Sequence, residues 1–249
     1  MTNNEILIIY ISMNIFDEII QPLADFPIKD VRVGSIWTAV QSKNCGLALN
    51  FPEPYPMFVR SCGELIGKST KEIAQQFVKS YNPTEASIGV ATINSLIDAE
   101  GENINALDYI EEIALNKRVV FVGHFPRMDK IRTRAKFLQI IDKNPKIGDY
   151  PDVASEFLIP QADIAVITGS VFVNKTYKRL LELSKNCYTI LIGPSVMMSD
   201  VLFDYGVDVL AGSKVLNSTK LLMSISQGGH LKDFSKNIKY IMKFREKKR

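Results

Sequence analysis

Four short segments carry residues able to do chemistry, and each follows an apolar run. They are Gly123-His124-Phe125-Pro126, Thr168-Gly169-Ser170 with Asn174-Lys175-Thr176 behind it, Gly193-Pro194-Ser195, and Gly212-Ser213. Small residues at a strand end expose backbone N–H and C=O groups to a ligand. In an open α/β sheet ligands sit beyond the carboxyl ends of the strands. If the apolar runs form one parallel sheet, all of these segments lie along a single edge and share a pocket.

His124 is one of only two histidines in the chain. At a strand end it can donate or accept a proton, bond a ligand, or bind a metal. No other ligand type stands at a fixed spacing from it, which disfavours a metal; structural packing is the competing reading, and convergence with the other strand ends makes it the catalytic candidate. The second histidine, in Gly228-Gly229-His230, reads as part of a turn. Ser195 lacks the second glycine of G-x-S-x-G, because Met197 stands there; a serine hydrolase is therefore disfavoured. Ser195 reads instead as the cap of a following helix, or as a hydroxyl and backbone N–H offered to an anionic group.

Gly123 stands alone, so a G-x-G-x-x-G dinucleotide site is disfavoured. Asp142 ends the next apolar run, about 20 residues on, where an acidic residue can meet a ribose hydroxyl; an acidic strand end is the competing reading. Pro126 fits the first turn of a helix. Asn174 and Thr176 either cap a helix or orient a polar ligand. Asp149, in Gly148-Asp149-Tyr150-Pro151, sets a turn or touches a ligand.

These residues need elements to position them. Arg118–Gly123, Phe137–Asp142, Asp163–Gly169, Tyr188–Ile192 and Asp208–Ala211 are apolar runs with β-branched residues. Helical segments separate them: 104–116 precedes the first run, and 152–160, 175–184 and the stretch after Ser195 lie between later ones. Near-continuous apolar strands alternating with helices predict a parallel sheet covered on both faces. Before residue 104 the pattern differs. Asp30–Gln41 and Cys45–Asn50 predict strands joined at Ser42-Lys43-Asn44. Pro52, Pro54 and Pro56 forbid regular structure. Ser69 and Glu72 form a capping-box pattern ahead of a helix, and Asn82-Pro83 opens another through Ile97. The fold class is therefore α/β, with a small α+β unit followed by a parallel-sheet unit.

The chain has 249 residues, 46% hydrophobic and 23% charged, with a net charge of +3. Much of that charge sits in the basic tail Lys243–Arg249, which reads as a solvated end, so nucleic acid is not an expected partner. Cys45, Cys62 and Cys187 are widely spaced and form no C-x-x-C, which fits a reducing cytoplasm. Ile6–Ile11 is too short to span a bilayer and lacks the flanks of a signal peptide; it reads as the start of a helix or strand.

The second half resembles a Rossmann-like family described as "putative heavy-metal chelation". The resemblance rests on Gly123-His124-Phe125-Pro126, Asn144-Pro145 with Gly148-Asp149-Tyr150-Pro151, Thr168-Gly169 with Asn174-Lys175-Thr176, Gly193-Pro194-Ser195, and Phe203–Asp208 leading to Ala211-Gly212. Trp37-Thr38-Ala39-Val40, Cys45–Ala48 and Ser87–Asn94 resemble the enolase N-terminal-like domain that precedes it. The resemblance runs from about Val31 to about Val215. It implies two domains, 1–103 and 104–249, with a ligand site in the cleft between them. It also implies a role around metal homeostasis, through making or handling a pterin-, flavin- or siderophore-like chelator.

Matching motif positions carry over His124, Asn174, Thr176, Gly193, Pro194 and Ser195, with Asn94 from the first domain. Gly123, Phe125, Asp142, Thr168, Gly169 and Gly212 complete the expected ligand wall. The chain departs from the family at Val196-Met197, where Thr-Pro is usual. Neither a reaction nor a cofactor is implied, and enzyme and binding protein both stay open. Two alternatives remain. One is a transferase using S-adenosylmethionine or a nucleotide. The other is a direct metal carrier or sensor, for which two histidines and three scattered cysteines supply few soft donors. The expected partners are a small-molecule ligand or a metal chelate, without a membrane, and exposed apolar surface on the first domain would allow a homodimer.

Overall fold

The computed structural model describes residues 14–51 and 58–246. The expectations for Ile6–Ile11 and for Pro52, Pro54 and Pro56 lie outside the described residues.

The first half begins with helix α1 (Ile15–Ile20), whose Asn14 side chain accepts the Phe16 N–H. Strands β1 (Asp30–Val33), β2 (Trp37–Gln41) and β3 (Cys45–Leu49) form an antiparallel sheet. Asp30–Gln41 is thus not one strand. It turns at 34–36 and pairs back on itself, with Asp30 opposite Gln41. Helix α2 (Thr70–Phe77) starts where Ser69 Oγ accepts the Glu72 N–H at 3.1 Å. Helix α3 (Pro83–Leu96) starts at Asn82, whose side chain accepts from Thr84 and Glu85 N–H. That helix is buried nearly all round, and its many small residues let strands and helices approach closely.

The second half is a seven-stranded sheet. Its elements, in chain order, are α4 (Ala106–Ile113), β4 (Arg118–Val122), α5 (Met128–Arg134), β5 (Phe137–Asp142), β6 (Tyr150–Pro151), α6 (Ser155–Leu158) between two 3₁₀ turns, β7 (Ile164–Thr168), α7 (Tyr177–Leu183), β8 (Tyr188–Ile192), α8 (Val201–Asp204), β9 (Val209–Val215), α9 (Ser218–Ser226), α10 (Leu231–Phe234) and β10 (Ile238–Phe244). The strand order is β10-β9-β8-β7-β4-β5-β6. All neighbours are parallel except β10, which runs antiparallel to β9. The α/β alternation expected from the sequence is present, as a parallel-rich large sheet beside a small antiparallel one.

Three corrections follow. No helix succeeds Ser195 directly: residues 193–200 are irregular, and only the single turn α8 follows. Val196, Met197 and Met198 in that stretch are buried in the core, and this apolar packing takes the place of helix formation. The strand expected to end at Ala211 continues to Val215, because β10 pairs with it along its whole length. Lys243 is accordingly a strand residue rather than a loose tail, and its ammonium meets Asp200 Oδ1 at 2.5 Å.

Alternation along β4 sorts its side chains between two cores. Val119 and Phe121 face a layer with α4 and α5. Val120 faces a larger core that also holds residues of α1, α2, α3 and α7. The outer face of the small sheet, with Trp37, Ala39 and Leu47, is covered by Leu221, Leu222, Ile225 and Phe234 of α9 and α10. A C-terminal segment thus roofs an N-terminal sheet. Among the described residues no helix is long and apolar enough to cross a membrane.

The tightest joint in the first half is at Gly46 on β3. A Cβ built there would lie 2.1 Å from the Ala91 carbonyl oxygen and 2.4 Å from the Ser95 nitrogen on α3. Both are backbone atoms and cannot rotate away. Gly46→Ala is expected to lower the free energy of unfolding by about 3 kcal/mol, the upper end of the overpacking range. Urea denaturation checks this, and a loss below about 1 kcal/mol would mean that β3 and α3 separate without strain.

Candidate functional site

In the large sheet β4 lies between β5 and β7. The chain leaves β4 first toward one edge and later toward the other. This is the topological switch point, where open α/β sheets bind ligands beyond the carboxyl ends of their strands. A cleft of about 660 Å³ opens there.

The ends of four parallel strands form its floor. From β4 come Val122, Gly123, His124, Phe125 and Pro126; from β5 come Ile141, Asp142, Lys143 and Asn144. From β7 come Thr168, Gly169, Ser170 and Val171, and from β8 Gly193, Pro194 and Ser195. Asp152, Ser155 and Glu156 line one side, and Asn174, Thr176, Arg179, Leu180 and Leu183 another. Trp37, Leu49 and Phe51 close it from the first half, with His230 and Leu231 of the C-terminal segment.

Gly123 has φ +98°, a left-handed conformation suited to glycine, and a Cβ there would stand 3.2 Å from the Thr168 side chain. The chain can therefore turn sharply off β4 and set His124 at the cleft. The His124 Nδ1 lies 3.2 Å from Asp149 Oδ2. Phe125 packs against Phe121 with ring centroids 5.8 Å apart. Pro126 is not in a helix: α5 begins at Met128, after Arg127 at φ +65°. Asp142, the last residue of β5, lines the cleft, and its Oδ1 accepts the Asn144 N–H at 2.9 Å.

At the end of β7, Thr168 Oγ1 and Ser170 Oγ are 3.1 Å apart and within hydrogen-bond reach of each other. Gly169 presses on the next loop so closely that a Cβ would fall 2.5 Å from the Val196 nitrogen. Asn174 Oδ1 accepts from Thr176 N–H at 3.1 Å and from Thr176 Oγ1 at 2.7 Å. This ties the turn ahead of α7 and leaves the Asn174 amide NH₂ without a protein acceptor among the described residues. Lys175, at φ +69°, points away from the cleft. Its ammonium bonds the Val78 carbonyl and sits 5.7 Å from the centre of the Phe16 ring. Burial pushes its pKa down to about 8.

Ser195 is 3% exposed. Its Oγ accepts the Leu49 N–H at 2.8 Å, so it pins β3 to the large sheet rather than capping a helix. Two expected wall residues lie elsewhere. Asn94 donates its amide to the Leu47 carbonyl at 2.9 Å, which fixes α3 to β3 and keeps it off the main cleft. Gly212 lies inside β9 beneath Met198, whose sulfur would stand 2.6 Å from a Cβ.

Sequence reasoning missed Arg179, Glu156 and His230. Arg179 Nε donates to Glu156 Oε1 at 2.8 Å at the cleft rim, a signal that two helices must meet before it can be read. His230 begins α10, where its N–H bonds Asp233 Oδ2 at 2.7 Å; the Gly228-Gly229 turn hid a helix start. Among the described residues, no group of three or more His, Cys, Asp or Glu side chains stands close enough to hold a metal ion. The donor set that the described residues offer to the cleft therefore does not fit a directly bound ion.

Family models described as "Putative heavy-metal chelation" match residues 105–244 and, separately, residues 16–97. A crystal structure of a DUF364-family protein of unknown function from Desulfitobacterium hafniense superposes with a TM-score of 0.82 at 28% identity, over 93% of this chain and 98% of that one. A second protein of that family from Pyrococcus horikoshii, also of unknown function, gives a TM-score of 0.81 at 22% identity over the same shares, a likeness of fold alone. An uncharacterized protein of Methanocaldococcus jannaschii is 25% identical over 201 residues, covering 73% of this chain and 74% of that relative.

Two single residues tie loops at the strand ends of the large sheet to the first half of the chain, and each yields a test. Ser195→Ala leaves the Leu49 N–H without its partner and is expected to cost about 1–3 kcal/mol of stability by urea denaturation. Ser195→Thr, which keeps the hydroxyl, separates this loss from packing changes. Lys175 gives a pH signature. Its folded pKa of about 8 lies below its ordinary value of 10.5, so between these values the unfolded chain binds more protons. Stability therefore rises with pH from about 8 toward 10, and Lys175→Met flattens that rise. Denaturation midpoints of both proteins at pH 7.5 and 9.5 check the sign.

Proposed function

The chain belongs to the family described as "Putative heavy-metal chelation", and on that premise we propose that its cleft binds a small polar compound able to chelate a metal ion. The observation that carries this reading is the cleft itself. It stands at the switch point of a parallel sheet, it has the volume of a small-molecule site, and a few polar groups converge on apolar walls. The metal, where present, travels with its own chelator, because among the described residues the carboxylates and imidazoles are not gathered into a coordination shell.

In this reading the glycine turns at Gly123, Gly169 and Gly193 bring backbone close to the ligand, with Pro194 shaping the wall. Phe125 offers an aromatic surface. Thr168, Asn174 and Thr176 offer hydroxyl and amide groups that orient a heterocycle or carboxylate. Asp142 bonds a ligand N–H or O–H. His124 is the group that takes or gives a proton, which makes the protein an enzyme if the ligand is altered there. The separate matches of the family models to 16–97 and 105–244 support two domains, 1–103 and 104–249, with this cleft between them.

A second reading rests on Asp142, which does end the strand next to β4 and line the cleft. A ribose hydroxyl on that carboxylate would make the ligand a nucleoside cofactor. Calorimetry with S-adenosylmethionine and ATP separates the two readings: heat at millimolar ligand favours the second.

Native mass spectrometry of protein purified gently, without a metal-affinity tag, tests the main reading. A retained small molecule, with or without a metal, is the expected result. Its dissociation should be at least tenfold easier from a His124→Gln, Asn174→Ala double variant, the loss of two hydrogen bonds at about 1 kcal/mol or more each. A bare polypeptide mass that never changes across cell extracts and pure chelators would overturn the assignment.

A further inference from the structure

We infer that Asp149 is a positioning residue that holds His124 in the tautomer with Nδ1 protonated, leaving Nε2 as the proton acceptor facing the cleft ligand. The inference deepens the proposed reading of the cleft and rests on it for the ligand.

The geometry has a fixed member and a working member. The Asp149 side chain is 4% exposed, whereas that of His124 is 32% exposed. The carboxylate is anchored from its own loop. Asp149 Oδ2 accepts the Lys146 N–H at 3.0 Å, and Asp149 N–H donates to the Lys146 carbonyl at 2.9 Å. Gly148, at φ +92°, allows that tight turn. A residue needed only for the turn would be satisfied by these two bonds. The same Oδ2 also stands 3.2 Å from His124 Nδ1.

An ionised carboxylate is an acceptor only, so Nδ1 must carry the hydrogen of that contact. A neutral imidazole then has its lone pair on Nε2. Among the described residues the Asp149 contact is the one protein hydrogen bond of the ring, so Nε2 is not committed elsewhere. His124 also forms the wall between the main cleft and a second cleft of about 800 Å³, and Asp149 lines only the second. The two ring nitrogens thus have separate duties on two sides of one wall. In the proton step, a ligand N–H or O–H gives its proton to Nε2 and keeps the electron pair. The ring becomes an imidazolium whose charge is met by the Asp149 carboxylate. Asp149 itself takes no proton, the logic of a buried carboxylate behind a catalytic histidine.

The test uses the full chain with ¹⁵N-labelled histidine, and His230→Gln assigns the two rings. At a pH where the ring is neutral, the expected His124 signals are an N–H-type Nδ1 and a lone-pair-type Nε2. In Asp149→Ala the Nε2–H tautomer should become populated. Asp149→Asn keeps an acceptor for Lys146 and so protects the turn. In that variant the rate of carbethoxylation of His124 by diethyl pyrocarbonate should fall roughly tenfold, the factor of one charge-assisted hydrogen bond. A wild-type ring protonated on Nε2 overturns the inference. So does a tautomer and reaction rate that neither variant changes. The expected signals in a protein that retains no small molecule would support the dyad while defeating the reading of the cleft.

Discussion

The site depends on one close approach of two backbone segments. At the end of β7, Gly169 lies against the loop after β8, where an added methyl would meet the Val196 amide and the Ser195 carbonyl carbon. With no side chain between them, the two strand ends are fixed relative to each other by hard-sphere contact. Ser195 follows directly from that contact. Held there, its hydroxyl reaches Leu49 and ties the small sheet to the edge of the large one. The floor of the cleft, its adjoining loop and its upper wall therefore form one mechanical unit. The hydrogen bond is worth little alone, but its geometry is set by an interaction that cannot relax.

The apolar core reinforces this arrangement. The face of the large sheet that carries Val120, Ala165 and Leu191 packs in the same cluster as α1, α2 and α3. The Lys175 ammonium crosses that boundary to end α2 at Val78. A cation favours the carbonyl end of a helix, which offsets part of the burial that lowers its pKa. The helices of α9 and α10 close the far side. Movement of the small sheet would thus have to break contacts on both of its faces, so the shape of the cleft is set by the fold itself.

Local signals were legible in the sequence wherever the physics is local. Apolar β-branched runs marked β4, β5, β7, β8 and the start of β9, because strands buried on both faces have no polar side. Ser69 and Asn82 marked helix starts because a cap acts over only a few residues. The strand-end segments of β4, β7 and β8 were found for the same reason: small residues follow apolar ones; Asp142 was found as the acidic end of β5. What failed was non-local. The turn inside Asp30–Gln41 is set by pairing, and the extension of β9 by β10. The absent helix after Ser195 reflects burial of Val196, Met197 and Met198, which competes with helix formation and wins. Asn94 was placed in the wall by motif position and Gly212 as an expected strand end, yet the register of α3 and β9 turns them to structural contacts. His230, Glu156 and Arg179 come from elements that meet only in three dimensions.

Trp37 is the single tryptophan of the chain, and the fold sets it in the wall of the cleft, 6% exposed and edge-on to Phe234. Its indole N–H is buried without a protein partner among the described residues. All indole emission of this protein therefore arises at one address, shared by the small sheet, the C-terminal helices and the ligand space. Its wavelength reports the polarity of that address with no background from elsewhere. A metal-loaded or conjugated guest in the cleft would be a quencher or energy acceptor at short range. The protein carries its own optical probe of the cleft, installed by the packing that closes it.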